Sequence, residues 1–248
     1  MSFIAAKEDA VKNAHMVSKG YIRAWVNKRN VVDVLDLQGG LGYPASYQRA
    51  TVVSYAYEPE ILAQDLEREY GHIEDRGIPA IVKLRQGKTL TDVERRAVIA
   101  FLDMHLDRGR YADQTKVRVP AVLLRTGGRI EQTELPLGDR LLLSQSLKDV
   151  LRLHTLGLEQ WPWQVREAKG LATGDGAVLL WRPTAGAEIC TVSFPLSPTQ
   201  LLVIGQDLAD DVPLNPLLAQ NSKRWIVGAR GTLNFAMAAV IAARRSQR

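Results

Sequence analysis

One cysteine in 248 residues, Cys190, excludes an intramolecular disulfide and any multi-cysteine zinc site. It sits in a strand-like run, residues 189–192, which fits a buried inert thiol; a catalytic thiolate is the other reading. No apolar run reaches the roughly 18 residues that would suggest a membrane span. The first residues carry Lys7, Glu8 and Asp9 where a secretory signal would have an apolar core, so a cytoplasmic location is expected. There is no Gly-x-x-x-x-Gly-Lys-Ser/Thr loop, no Gly-x-Gly-x-x-Gly turn and no Gly-x-Ser-x-Gly elbow. There is also no His-Glu-x-x-His pair, EF-hand loop or zinc-finger spacing. The four histidines, His15, His72, His105 and His154, are scattered, and no spacing among them supports a metal site.

Acids are missing from one region. The last 28 residues hold six Lys or Arg and no Asp or Glu, so a net charge of +5 leaves −1 for the other 220. Any attraction for nucleic acid, nucleotides or an anionic surface belongs to this C-terminal end. The other reading is cations placed at helix C-termini plus a solvated tail.

What is present is ordinary globular material, 46% hydrophobic and 24% charged, in a chain long enough for a substantial core. Ser18 predicts a cap for a short helix reaching Ala24 or Trp25. Residues 30–37 and 51–57 read as strands, with a turn-rich stretch at 41–50 between them. A helical stripe of Ile61, Leu62, Leu66, Tyr70 and Ile73 begins near Pro59, with Gly77 or Pro79 expected to break it. Thr91-Asp92-Val93-Glu94 is a capping box, and Val98, Phe101, Leu102 and His105 line one face behind it. Helix is also expected over 119–125, 141–156, 216–228 and 232–243, and strands near 163–166, 177–181, 188–192 and 201–205. This order predicts an α+β fold: a central helical block, a mixed or antiparallel sheet built from early and late strands, and a helical C-terminus. Residues 1–231 form a single α+β domain in this reading, and 232–248 a C-terminal helix and basic tail. Leu233, Met237, Val240 and Ile241 are expected to share the face that docks that helix, or that meets a second copy in a homo-oligomer.

Several polar residues need an explanation. Glu60, Glu67 and Glu74 recur every seven residues, drifting about 20° per heptad on a continuous helix. Carboxylates sharing a face can serve as acid and base or hold a divalent ion; a solvated acidic stripe is the other reading. His105 falls on an apolar stripe, one turn before Arg108, as either a hydrogen-bonded core histidine or a proton carrier. Thr173-Gly174-Asp175-Gly176 carries an Asp-Gly turn signal, which holds either a plain hairpin or an acid at a strand end.

The stretch "HMVSKGYIRAW" (15–25) resembles the N-terminal signature of the bacterial domain of unknown function 4238 family, roughly His-x-Val-Pro-x-x-Tyr-Leu-Arg-x-Phe. Four further stretches follow in the family's order. "LEREYGHIEDRGIPAIVKL" is similar to its paired-Glu helix, at Glu67 and Glu74, and "FLDMHLDRGR" to the next helix, at His105 and Arg108. "LATGDGAVLL" and "SFPLSPTQLLV" are similar to its Ser-Asp-Asn-Pro turn and Pro-Leu-Ser-Pro strand, and "LLAQNSKRWIVGAR" to its closing helix, at Asn221. Ser18 stands where the signature has Pro, and Gly174-Asp175-Gly176-Ala177 replaces Ser-Asp-Asn-Pro, keeping only the acid. The resemblance implies a fold and candidate positions, not a reaction.

Two functional readings stay open. One is a non-catalytic binding or regulatory protein with a buried polar His/Glu/Arg cluster. The other is a metal-dependent phosphodiester or nucleotide hydrolase of a toxin or defence kind, using Mg²⁺ or Mn²⁺; an enzyme of another class stands behind it. The candidate residues are His15, Arg23, Glu67, Glu74, His105, Arg108, Asp175 and Asn221. In the hydrolase reading Glu67, Glu74 and Asp175 hold the metal, His15 or His105 moves protons, and Arg23 or Arg108 neutralises phosphate. Arg23 is expected to pair with Glu67 or Glu74, and His15 to approach His105 or Asp175.

Overall fold

The chain opens with β1 (Asn13–His15), α1 (Lys19–Ile22) running into a 3-10 turn (Arg23–Trp25), then β2 (Val31–Asp36), β3 (Leu41–Ser46) and β4 (Val52–Ser54). Two long helices follow, α2 (Leu66–Arg85) and α3 (Asp92–Arg110). Next come β5 (Val119–Leu124), β6 (Ile130–Leu135), α4 (Leu137–Gln145) and 3-10 turns at Leu153–Leu156 and Leu158–Gln160. The chain finishes with β7 (Trp163–Glu167), β8 (Thr173–Gly174), β9 (Leu179–Trp181), β10 (Thr191–Ser197), β11 (Gln200–Gly205), α5 (Leu214–Asn221), β12 (Trp225–Gly228) and α6 (Ala236–Ser246). The computed structural model describes residues 13–54, 61–62, 65–145, 147 and 150–246. Glu60, the expected helix start at Pro59 and the far end of the 51–57 strand lie outside them.

The fold is α+β, as expected. Its two larger sheets run β3-β2-β12-β8 and β7-β11-β10-β9, and every pairing in them is antiparallel. Early and late strands do share a sheet: Val34 of β2 faces Tyr43 of β3 on one side and Val227 of β12 on the other.

The helical block is built on local rules. Thr91 Oγ1 accepts from the Glu94 amide at 3.3 Å while Glu94 Oε2 accepts from the Thr91 amide at 2.9 Å, so both halves of the capping box form. Val98, Phe101, Leu102 and His105 are all buried behind it. Asp65 caps α2 through the Arg68 amide at 3.0 Å. Gly77 and Pro79 do not divide α2. Pro79 lies within one continuous helix, and Gly77 lets α3 close in, since a Cβ there would sit 2.7 Å from Phe101 Cβ.

Tyr21 occupies the centre of the core. Its ring stacks on Phe194 at 4.7 Å and meets Trp25, Phe101 and His105 edge-on at 5.1–5.9 Å. Its hydroxyl donates to the Pro195 carbonyl at 2.6 Å and takes the Thr173 hydroxyl proton at 2.7 Å. Trp25, one turn on, donates Nε1–H to the Leu171 carbonyl at 2.7 Å. The N-terminal signature is thereby stitched to the segments before and within β8 and β10.

Several further expectations are corrected. Residues 41–46 form an edge strand instead of a turn, and the edge tolerates Pro44, which brings no amide hydrogen. Residues 119–124 form a strand paired with β6 through Gly127-Gly128, both at positive φ, instead of a helix. The stretch 216–228 divides into the end of α5 and the strand β12. The stretch 141–156 divides into the end of α4 and a 3-10 turn. The C-terminal helix starts later than expected and packs on β2 and β3 with Ala238 buried, while Met237 and Val240 are each 41% exposed and lie off the docked face. No described helix is long and apolar enough to cross a membrane.

Candidate functional site

The candidate residues divide into an inner group and an outer group. The inner group surrounds the turn at Gly174–Gly176. Three glycines make it compact. A Cβ on Gly109 of α3 would lie 2.1 Å from the Asp175 carbonyl oxygen, one on Gly174 2.2 Å from the Trp225 oxygen, and one on Gly176 2.2 Å from the Ser222 amide nitrogen. Backbone therefore packs against backbone at all three positions.

Asp175 is 3% exposed, and its carboxylate accepts the amides of Lys223 at 2.6 Å, Arg224 at 3.1 Å and Trp225 at 2.6 Å. Burial pushes its pKa up to about 6, while these amide hydrogen bonds pull the other way. Asn221 donates from Nδ2 to the carbonyls of Gly176 at 2.8 Å and Val178 at 3.2 Å. Ser222 Oγ accepts from the Gly176 amide at 3.2 Å. His105 is 2% exposed and donates Nε2–H to the Gly174 carbonyl at 2.8 Å. Burial lowers its pKa to about 4; the hydrogen bond to Gly174 raises it and the Arg108 charge lowers it further. His105 is thus neutral, with the proton on Nε2. These are clamps between chain segments.

The outer group lies on α2, α3 and the end of β1. Arg108, also 2% exposed, donates Nη1–H to Glu74 Oε1 at 2.6 Å and rests its guanidinium 4.5 Å from the centre of the Tyr70 ring. Glu67 is one turn N-terminal to Tyr70. Its Oε2 is buried without a hydrogen-bond partner among the described residues. Burial raises its pKa; Arg108 opposes this, and Glu74 and Asp65 add to it. His15 donates Nε2–H to the Gln48 carbonyl at 3.0 Å. Its pKa is lowered, first by burial, with Lys19, Glu74 and Arg108 near enough to act on its charge.

Some expected meetings do not occur. His15 gives its hydrogen bond to the Gln48 carbonyl, within electrostatic reach of Glu74 and Arg108, and makes none to His105 or Asp175 among the described residues. Arg23 is exposed and its guanidinium has no hydrogen-bond or ion-pair partner among the described residues, so the Arg–Glu pair forms through Arg108. Asp175 is taken up by three amides, and among the described residues no three His, Cys, Asp or Glu side chains gather as a metal-ligand set. The expected trio of Glu67, Glu74 and Asp175 is therefore not assembled. The basic C-terminal end is partly spent on internal ion pairs: Arg224 with Asp36 at 3.4 Å and Arg230 with the fully buried Asp33 at 2.8 Å. Cys190 is half-buried, its thiol directed at the Trp181 carbonyl 3.6 Å away.

Sequence reasoning passed over other buried acids. Asp33 also accepts the Gly231 amide at 2.6 Å, and Asp139 accepts the Leu62 amide at 2.8 Å. An acid inside an apolar run, as in Val31-Val32-Asp33-Val34, was the available signal.

No curated protein and no solved structure matches the chain. Residues 13–127 match the family described as "Protein of unknown function (DUF4238)", a span that holds His15, Arg23, Glu67, Glu74, His105 and Arg108 and stops short of Asp175 and Asn221. The N-terminal signature, the paired-Glu helix and the His105–Arg108 helix all lie inside that span, so just under half of the chain is similar to the DUF4238 family.

Proposed function

We propose that the chain is a cytoplasmic, non-catalytic binding or regulatory protein whose polar cluster fixes its fold. One observation carries this reading. The inner candidates spend their hydrogen bonds on backbone: His105 on Gly174, Asp175 on three amides, Asn221 on two carbonyls. A carboxylate 3% exposed and bonded to three amide donors is poorly placed to take a metal or a substrate. An imidazole held neutral and buried is a poor proton shuttle near pH 7.

A binding protein also needs surface to offer, and the β5–β6 hairpin supplies some. Val122, Leu124 and Ile130 lie on one of its faces, at 66%, 75% and 70% exposure. Exposed apolar clusters of this kind commonly mark contact sites.

The test is thermal unfolding of the wild type with and without Mg²⁺ or Mn²⁺, repeated for Glu67→Gln. The reading expects no divalent-dependent rise in Tm in either protein. A rise in the wild type that Glu67→Gln abolishes would overturn it in favour of the metal-dependent hydrolase.

A further inference from the structure

Asp103 and Asp107 lie one turn apart on α3, on the side away from His105. Asp103 accepts three donors: the Leu153 amide at 2.5 Å, the His154 amide at 3.0 Å and His154 Nδ1 at 2.9 Å. The two amide bonds cap the 3-10 turn that begins at Leu153. The third does something else. An ionised carboxylate only accepts, so Nδ1 carries the proton and Nε2 of the neutral ring is left as an acceptor. The His154 side chain is 64% exposed, and no hydrogen bond to Nε2 is present among the described residues. A surface imidazole held in one tautomer by a buried acid is prepared to receive a donor.

His154 stands at a cavity of ≈ 310 Å³ whose other walls include Tyr70, Ile73, Met104, Asp107 and Arg152. The charged groups in and behind those walls are engaged within the chain, Asp103 by the Leu153 and His154 amides. Asp107 sits between Arg110, at 2.7 Å, and Arg152. Arg152 also donates to the Ser144 carbonyl at 2.9 Å, so neither arginine is left to attract an anion. The remaining lining is apolar or aromatic, at Tyr70, Ile73, Ala100 and Met104, with one polar side chain, Gln145. The volume is at the lower end of small-molecule sites, about right for a single-ring compound.

We propose that this cavity binds a small uncharged molecule with an apolar or aromatic body and one hydroxyl or N–H group, whose proton His154 Nε2 accepts. Asp103 is the positioning residue that fixes the ring. The inference goes beyond the reading above and does not depend on it, because the cavity and the clamp around Asp175 share no residue.

Phenol and benzene separate the two parts of the proposal. Each is titrated into the full chain, with the Met104 methyl and the His154 ring nitrogens followed by NMR. The expected result is saturable shifts at both positions, with phenol about fivefold tighter than benzene, the ordinary worth of one net hydrogen bond. His154→Ala, a change at an exposed side chain, is expected to erase the preference and leave benzene binding intact. Ala100→Phe, which fills the cavity from α3, is expected to remove both. Absence of saturable shifts with either probe would overturn the proposal. So would equal affinity for the two probes in the wild type, or a phenol preference that survives His154→Ala.

Discussion

His105 Nε2 donates to the carbonyl of Gly174 across 2.8 Å, joining the fourth turn of α3 to the residue just before Asp175. The bond has a pH signature. Burial holds His105 at about 4 in the folded chain, against 6.5 for a free histidine. Between those values the unfolded chain binds a proton that the folded one refuses, so stability falls as pH drops from 6.5 towards 4. At about 1.4 kcal/mol per pH unit the full loss is about 3 kcal/mol. Asp175 works in the opposite direction, because its raised pKa keeps it protonated in the fold up to about 6. The wild type alone therefore responds weakly, and the difference from His105→Gln isolates the histidine. We expect the stability advantage of wild type over His105→Gln to shrink by about 3 kcal/mol from pH 7 to pH 4. Urea unfolding at four or five pH values measures it; a constant advantage would contradict the assignment.

Asp175→Ala removes the acceptor for three amides at once. Each buried unsatisfied donor costs about 1–3 kcal/mol, so the loss is expected to exceed about 3 kcal/mol. Asp175→Asn keeps one acceptor oxygen and is expected to cost less. Equilibrium unfolding of both variants checks the order, and equal costs would contradict the clamp.

Gly109→Ala tests the close approach behind that turn. The new methyl would meet the Asp175 carbonyl at 2.1 Å, and neither backbone has room to yield. Although alanine favours helix by about 1 kcal/mol over glycine, we expect a net loss of about 2 kcal/mol or more. A stabilised variant, judged by Tm, would contradict the packing.

Ser18→Pro should run the other way. Ser18 Oγ is buried with no hydrogen-bond partner among the described residues, and the side chain makes no cap bond to α1 despite its N-cap position. Its φ of −50° is within proline's reach, and the signature this segment resembles has proline there. Removing an orphan hydroxyl and stiffening the unfolded chain is expected to add about 0.5–1 kcal/mol, read from the denaturation midpoint.

Legibility in the sequence followed the range of the interaction. The capping box at Thr91 and the buried stripe behind it are local, and both were readable. The paired-Glu helix placed Glu67 and Glu74 correctly on α2. Helix signals failed at 119–124 and 225–228, where short apolar runs fit either period and only the partner strand decides. Pro44 and Gly42 looked like turn residues. Proline is tolerated on an edge strand, and Gly42 clears space for Phe235, whose Cβ would be 2.5 Å from an added methyl. The Asp-Gly turn was visible at Asp175, but its three amide donors lie 48 to 50 residues away, and no spacing rule reaches them. Arg23 was the expected partner for Glu74, and Arg108 takes that place. The choice came from α3 burying one guanidinium while the 3-10 turn exposes the other.

The most direct test of an architectural polar centre is the unfolding free energy of Glu74→Gln, which takes the carboxylate charge away from the buried Arg108 guanidinium. We predict a loss of about 3–5 kcal/mol, the cost of breaking a buried pair, unchanged by Mg²⁺ or Mn²⁺. A variant as stable as wild type or more so would contradict the account, since removing a group held for catalysis commonly leaves a protein no less stable.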